Sequence, residues 1–283
     1  MNNLSNKAML VKLKRGRFTP DVTDVKATQL VESGTGVTNS GRYRKRVLAE
    51  SGRFKLVTEA FSAIYTYHRE HTFPWTDEGP RLLPSKTYMA YCERMRELRQ
   101  VAQTRLDDLA ANWDAEIAAD QVRLGSMFCP EDYPTNIGER FYADLQFLPV
   151  PSTGDFRVMI DDADRASLDK AIADAEANVA THMITTLAEP IRKMAEKLAI
   201  PIDGKGAKFQ NSMISNIQET VQRLEEMNIS DDPRVSGLLK VTRTLLVDRE
   251  LDVKGMRNDP TIRAREAGAA KRVSDTIGEL FGV

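Results

Sequence analysis

Cysteine is nearly missing from this chain. Cys92 and Cys129 are the only two in 283 residues. A disulfide framework is therefore excluded, and a reducing compartment is expected. Aromatic residues are also sparse, with two Trp and seven Tyr against eleven Met. That balance argues for helix packing rather than an aromatic β-core. Net charge is all but absent at −1, so no global field points to a partner. No stretch approaches the roughly 18 consecutive apolar residues of a membrane span, and the start, Met-Asn-Asn-Leu-Ser-Asn-Lys, has no apolar run of signal-peptide length. The expectation is a cytoplasmic chain.

Signatures of catalysis are missing too. No Ser stands in Gly-x-Ser-x-Gly, and neither cysteine lies in a nucleophile motif. Gly34-Thr-Gly36 and Gly204-Lys-Gly206 fit neither the phosphate-loop nor the dinucleotide fingerprint. His68 and His71 stand three apart, but in the order His-Arg-Glu-His, without a third ligand at a diagnostic spacing. They read as a helix-end pair. Asp155, Asp161, Asp162 and Asp164 lack the glycine and terminal glutamate of a calcium loop. A charged helix start accounts for them, since acids suit the positive end of the dipole. No catalytic residue, metal or cofactor is assigned.

What is present is apolar periodicity and uneven charge. Apolar residues make up 41% and charged residues 29%, enough for a core beneath an ionic surface. Ala8 to Phe18 reads as a basic strand, Asp21 to Val31 as a short helix, and Gly52 to Arg69 as a helix with Phe54, Val57, Phe61, Ile64 and Tyr65 at helical spacing. Residues 33–41 are a breaker-rich loop. Residues 72–84 hold three prolines and a glycine, which forbids a regular element. Phe73, Trp75, Arg81, Leu82 and Leu83 make that segment either a loop packed onto the domain or a surface offered to a protein partner.

Ser85 to Ser126 carries the strongest helical signal, with Tyr88, Tyr91, Met95, Leu98, Ala102, Leu109, Trp113 and Ile117 in register. About forty residues at 1.5 Å each span roughly 60 Å, the length of a coiled-coil arm. A second long helix begins after Asp161-Asp-Ala-Asp164, with Leu168, Ile172, Ala175, Val179, Met183 and Leu187 as its stripe and a kink or break at Pro190. Between them, 147–150 and 155–160 suggest a small hairpin. Asp232-Pro233 and Asp259-Pro260 each read as an N-cap followed by a first-turn proline. The expected class is mainly α: a long antiparallel helical hairpin pairing 85–126 with 164–188, a small β-containing insert at 127–160, and a basic N-terminal α+β segment. The expected domains are 1–71, 72–200 and 201–283.

Residues 1–56 hold twelve Lys or Arg against four acids, an excess of eight. Lys12, Lys14, Arg15, Arg17, Arg42, Tyr43, Arg44, Lys45 and Arg46 are the candidate nucleic-acid contacts, because cations meet phosphates and an exposed aromatic stacks on an unpaired base. The plainer reading is a solvated basic surface, or a dock for the chain's own acidic part.

Tyr67-His-Arg-Glu-His-Thr-Phe-Pro-Trp75 followed by Gly79-Pro-Arg-Leu-Leu-Pro84 resembles a family of tailed-phage and prophage proteins of unknown function. The likeness continues through Phe128 to Tyr133, and resumes at Phe147-Leu-Pro-Val-Pro151 and Asp155-Phe-Arg-Val158. It covers residues 40–160, with looser helical similarity beyond. Such proteins are often encoded near a MoxR-type AAA+ ATPase and a cobaltochelatase-like protein with a von Willebrand A domain. The resemblance implies an accessory or adaptor role in an ATP-driven remodelling system, with that ATPase as a protein partner. A nucleic-acid-binding protein is the alternative. Homo-oligomerisation stays open.

Overall fold

The computed structural model describes residues 4–75, 79–151, 162–202, 209–229, 232–249 and 251–281. The chain is mainly helical with small antiparallel sheets. It divides into two compact units, each assembled from separate stretches of sequence. The first takes Met1–Val11, His71–Met89 and Phe147–Val283, and the second takes Lys12–Glu70 and Ala90–Gln146. The three consecutive blocks expected from the sequence follow chain order; the units do not.

The first unit is built on α6 (Asp162–Ala199), which continues through Pro190. Val179, Met183, Leu187, Ile191, Met194 and Leu198 recur every three or four residues and are buried. Their partners are α7 (Asn211–Met227), through Ile214, Ile217, Val221 and Leu224, and α10 (Pro260–Phe281), through Ala269, Ala270, Val273 and Ile277. The small alanines of α10 let the helix axes approach. α8 (Pro233–Thr242) starts as the sequence suggests: the Asp232 carboxylate accepts from the Arg234 amide at 2.9 Å, with Pro233 in the first turn. A π-helical turn, Arg243–Val247, and α9 (Val253–Asn258) lead to Asp259, which accepts from Thr261 N at 2.7 Å and opens α10. The buried Arg263 donates to the carbonyls of Lys197, Leu198 and Ile200 at 2.7–3.0 Å, closing the otherwise unsatisfied end of α6.

Phe73–Pro74 and Arg81–Pro84 do form strands. The short α1 (Leu4–Lys7) leads into β1 (Ala8–Gly16), whose first residues pair antiparallel with β5 (Arg81–Pro84), Met9 opposite Leu83 and Leu10 opposite Leu82. β4 (Phe73–Pro74) adds to β5, with Phe73 opposite Leu82. The prolines are tolerated because of position: Pro74 lies on the edge strand and Pro84 ends its strand, where a missing N–H costs little. Phe73 and Leu82 enter the α6 core, Trp75 packs half-buried against it, and Leu83 is fully buried. The Arg81 guanidinium donates to Thr72 Oγ1 at 2.7 Å and to its carbonyl at 2.6 Å. Phe73, Leu82 and Leu83 are therefore interior residues.

In the second unit the end of β1 lies beside β6 (Tyr142–Leu148), while β2 (Asp21–Thr23) pairs antiparallel with β3 (Arg44–Arg46). α2 (Val25–Thr35) lies between these last two strands in sequence. α3 (Gly52–Glu70), α4 (Tyr88–Ala111) and α5 (Trp113–Leu124) complete the unit. Its core joins Val47, Leu48, Phe54, Val57, Leu106, Leu109, Trp113, Tyr133, Ile137 and Phe141.

The expected pairing of 85–126 with 164–188 does not describe these packings. The first of those stretches is two helices, interrupted at Asn112, whose φ of −110° and ψ of 14° are not helical. α6 spends its stripe on α7 and α10, whereas α4 spends Leu106 and Leu109 on the second unit's core. The stripes are real; their partners differ. The hairpin proposed within 147–160 falls in part outside the described residues. Among those described, no helix is long and apolar enough to cross a membrane.

Candidate functional site

The two basic clusters of the N-terminal sequence both lie in the second unit. The chain leaves β1 at Gly16, runs through Arg17 to Pro20, and enters β2. Asp21 then stands opposite Arg46 in the β2–β3 ladder, and the Val47 amide donates to the Pro20 carbonyl at 2.9 Å. These links bring Arg17 and Arg46 to the wall of one cavity of about 420 Å³, together with Lys55, the fourth residue of α3. Phe18, Pro20, Leu48 and Phe54 supply its apolar lining, Ser51 and Thr58 its hydroxyls, and Asp21 and Glu59 its two carboxylates.

A buried carboxylate fixes the back of this cavity. Asp120 accepts from the Leu48 amide at 2.6 Å, from the Tyr133 hydroxyl at 2.5 Å and from the Arg123 guanidinium at 2.6 Å. Leu48 sits at φ 55°, a left-handed conformation that leucine adopts at a cost. Asp120 is the group that holds it there. Burial, reinforced by the Asp120 carboxylate, pushes the Tyr133 phenol far above the usual tyrosine range, so it stays a donor. The Ser51 hydroxyl accepts from the Phe54 amide at 3.0 Å and caps α3.

The individual candidates fall into distinct roles. Lys45 is not a surface contact. Its ammonium lies 3.3 Å from Asp24 and 2.8 Å from Asp132, donates to the Met127 carbonyl at 2.5 Å, and its residue is only 6% exposed. Burial opposes its charge, but Asp132 and Asp24 outweigh that penalty and raise the Lys45 pKa above the ordinary lysine value. The Ala27 amide, despite burial and with help from Lys45, holds the Asp24 carboxyl below its usual value. The sequence reading of Lys45 as a phosphate ligand is therefore corrected: acids 21 and 87 residues away in sequence claim it.

Arg53 is likewise engaged, 3.1 Å from both Asp108 and Glu116. The Arg15 guanidinium lies 3.6 Å from the Tyr65 ring centroid. Arg44 donates to the Asp21 carbonyl at 2.9 Å. Lys12 and Lys14 alternate with Leu13 and Arg15 and are exposed. The Tyr142 ring lies against the backbone of Gly16, where an added Cβ would collide with it. Arg42 and Tyr43 are exposed just before β3.

A second surface was not foreseen. None of the eleven residues of α2 is buried. Its Leu30 is 73% and Val25 63% exposed, and Val31, Val37 and Tyr43 are open as well. Lys26, Arg42 and Arg44 lie among them in sequence and are exposed. The segment Val25-Lys-Ala-Thr-Gln-Leu-Val31 lacks a coherent apolar stripe, a signal that could have marked it as uncommitted to the core.

His68 is buried, with its Nδ1 2.7 Å from the Tyr91 hydroxyl. That contact makes it a core histidine of the α3–α4 packing. Among the described residues no cluster of three or more His, Cys, Asp or Glu is placed to hold a metal. Comparison with protein-family models, curated proteins and solved structures finds no match to this chain.

Proposed function

We propose that this chain is an accessory or adaptor protein that works by protein–protein contact, with α2 and the segment after it as the contact surface. One observation carries the reading: a helix with no fully buried residue that exposes Val25, Leu30 and Val31, with Val37 and Tyr43 following. Large exposed apolar groups on a surface helix are costly to leave in water and mark contact sites. Lys26, Arg42 and Arg44 alongside favour an acidic, amphipathic segment on the partner. Phe73, Leu82 and Leu83, earlier candidates for this role, are buried in the first unit. The phage-family resemblance supplies the partner class, a MoxR-type AAA+ ATPase. The expected arm-like hairpin is not needed for this role.

The test is affinity capture from infected host cells with the chain and with a Leu30→Ser, Val31→Ser, Tyr43→Ser variant. An AAA+ subunit retained by the parent and lost by the variant supports the proposal. Equal retention by both would refute the assignment of the surface.

Nucleic-acid binding is the second reading. It is favoured by exposed Lys12 and Lys14 on the strand where Tyr142 lies against Gly16. It is weakened by the engagement of Lys45 and Arg53 with the chain's own acids. A gel shift of single-stranded oligonucleotides at about 100 mM salt separates the two readings, because phosphate contacts give steeply salt-dependent affinity.

A further inference from the structure

We infer that the cavity between the end of β1, the β3–α3 turn and the first turns of α3 is a binding site for a small phosphate monoester that carries an apolar or aromatic group. α3 opens Ser51-Gly-Arg-Phe-Lys55, with no acid in its first turn and with cations where the helix dipole is already positive. Sequences break a local rule of this kind at functional sites, where something else compensates. Arg53 is compensated by Asp108 and Glu116. Lys55 has only Glu59, 3.9 Å away and solvent-exposed, which contributes little. Arg17 and Arg46 have no carboxylate partner among the described residues and line the same cavity. Three cations from three separate segments therefore line one space against two carboxylates, Asp21 and Glu59.

The chemistry of the remaining wall narrows the ligand. Phe18, Pro20, Leu48 and Phe54 form an apolar side, and Phe18 meets Phe54 edge-on at 5.9 Å. A cavity of about 420 Å³ lies within the range for small-molecule sites. Asp21 and Glu59 also line it, so a polyanion filling the whole cavity would meet two carboxylates. A compact dianion bridged by Arg17, Arg46 and Lys55, with its organic part against the two phenylalanines, meets three cations against those two carboxylates. A phosphate monoester carries about −1.5 to −2 charges at neutral pH and accepts bidentate guanidinium bonds. The wall is also held in place: Asp120 clamps Leu48 in its left-handed conformation and ties this turn to α5.

Isothermal titration of the full chain with AMP and with phenyl phosphate tests the inference, with adenosine and phenol as uncharged counterparts. Both phosphates are expected to bind and both counterparts to bind at least about tenfold more weakly. Arg17→Ala and Arg46→Ala are each expected to weaken the phosphates about tenfold, as for loss of one charge-assisted hydrogen bond. Lys14→Ser, outside the cavity, should leave affinity unchanged. Circular dichroism checks the fold of each variant, and Lys55→Gln replaces any that misfolds. The inference is overturned if neither phosphate binds at about 1 mM, or if they bind equally to parent and Arg46→Ala. It is also overturned if an oligonucleotide occupies the same residues and neither phosphate displaces it.

Discussion

Replacing Lys45 by methionine separates a structural lysine from a phosphate ligand. Methionine keeps the apolar stem and removes the ammonium. The Asp24 and Asp132 side chains, only 7% and 12% exposed, then lose a partner at 3.3 and 2.8 Å, and the Met127 carbonyl loses its donor. Removing one member of a buried ion pair costs about 3–5 kcal/mol, because the charges left behind are neither solvated nor paired. With an m-value of about 2 kcal/mol/M, a loss of about 4 kcal/mol lowers the urea midpoint by about 2 M. Trp113 lies in the same core and reports on it once Trp75 is changed to Phe. The reasoning fails if the midpoint falls by less than about 0.5 M, which corresponds to the roughly 1 kcal/mol of an exposed pair. It fails equally if stability is unchanged while affinity for an anionic polymer drops.

The same triad sets a pH dependence. The Lys45 pKa is raised in the fold, so its contribution is complete below its unfolded pKa and is lost as pH rises through the folded value. That of Asp24 is lowered, so its contribution is present above its unfolded pKa and fades as pH falls below about 4. Urea midpoints measured across pH should therefore decline at both ends, and Lys45→Met should flatten the alkaline decline; an unchanged alkaline limb would contradict the assignment. Phe73→Ala should cost about 3–5 kcal/mol by calorimetry, and Trp75→Ala, half-buried, clearly less; the reverse order would remove β4 from the core. Asp232→Ala should cost about 1 kcal/mol through loss of the α8 cap, read as a shift in denaturant midpoint. Leu30→Ser should change stability by no more than about 0.5 kcal/mol, since Leu30 touches little; a large loss would mean that α2 is packed after all.

Much of the local structure was legible because it rests on local physics. β1 shows as alternation, α3 as helical spacing from Phe54 to Tyr65, and the Asp232 and Asp259 caps as Asp-Pro pairs. A stripe such as Val179-Met183-Leu187 states that a face is buried but not what buries it, and the packing of α6 on α7 and α10 is not written in the stripe itself. The strands within 72–84 were hidden by prolines whose harmlessness depends on being at an edge or an end. At the candidate cavity, Arg17 and Arg46 were singled out from charge density. Lys45, one residue earlier, looks the same in sequence and is distinguished only by Asp24 and Asp132 folding over it. Lys55 was readable in principle, as a cation at the wrong end of a helix. Nothing local announces that Leu48 is left-handed, since the cause, Asp120, arrives 72 residues later.

The interleaving of the two units also imposes an order on synthesis. The second unit has all its residues once Gln146 has emerged, whereas the first must wait for α10, which supplies Ala269, Ala270, Val273 and Ile277. Domains tend to form as their last segment leaves the ribosome. The nascent chain therefore passes through a stage in which residues 12–146 can close while Phe73, Leu82 and the α6 stripe have no α10 to meet. During that interval the growing chain exposes a long apolar helix face, and it is then that a chaperone or a premature stop within α10 would act most strongly on its fate.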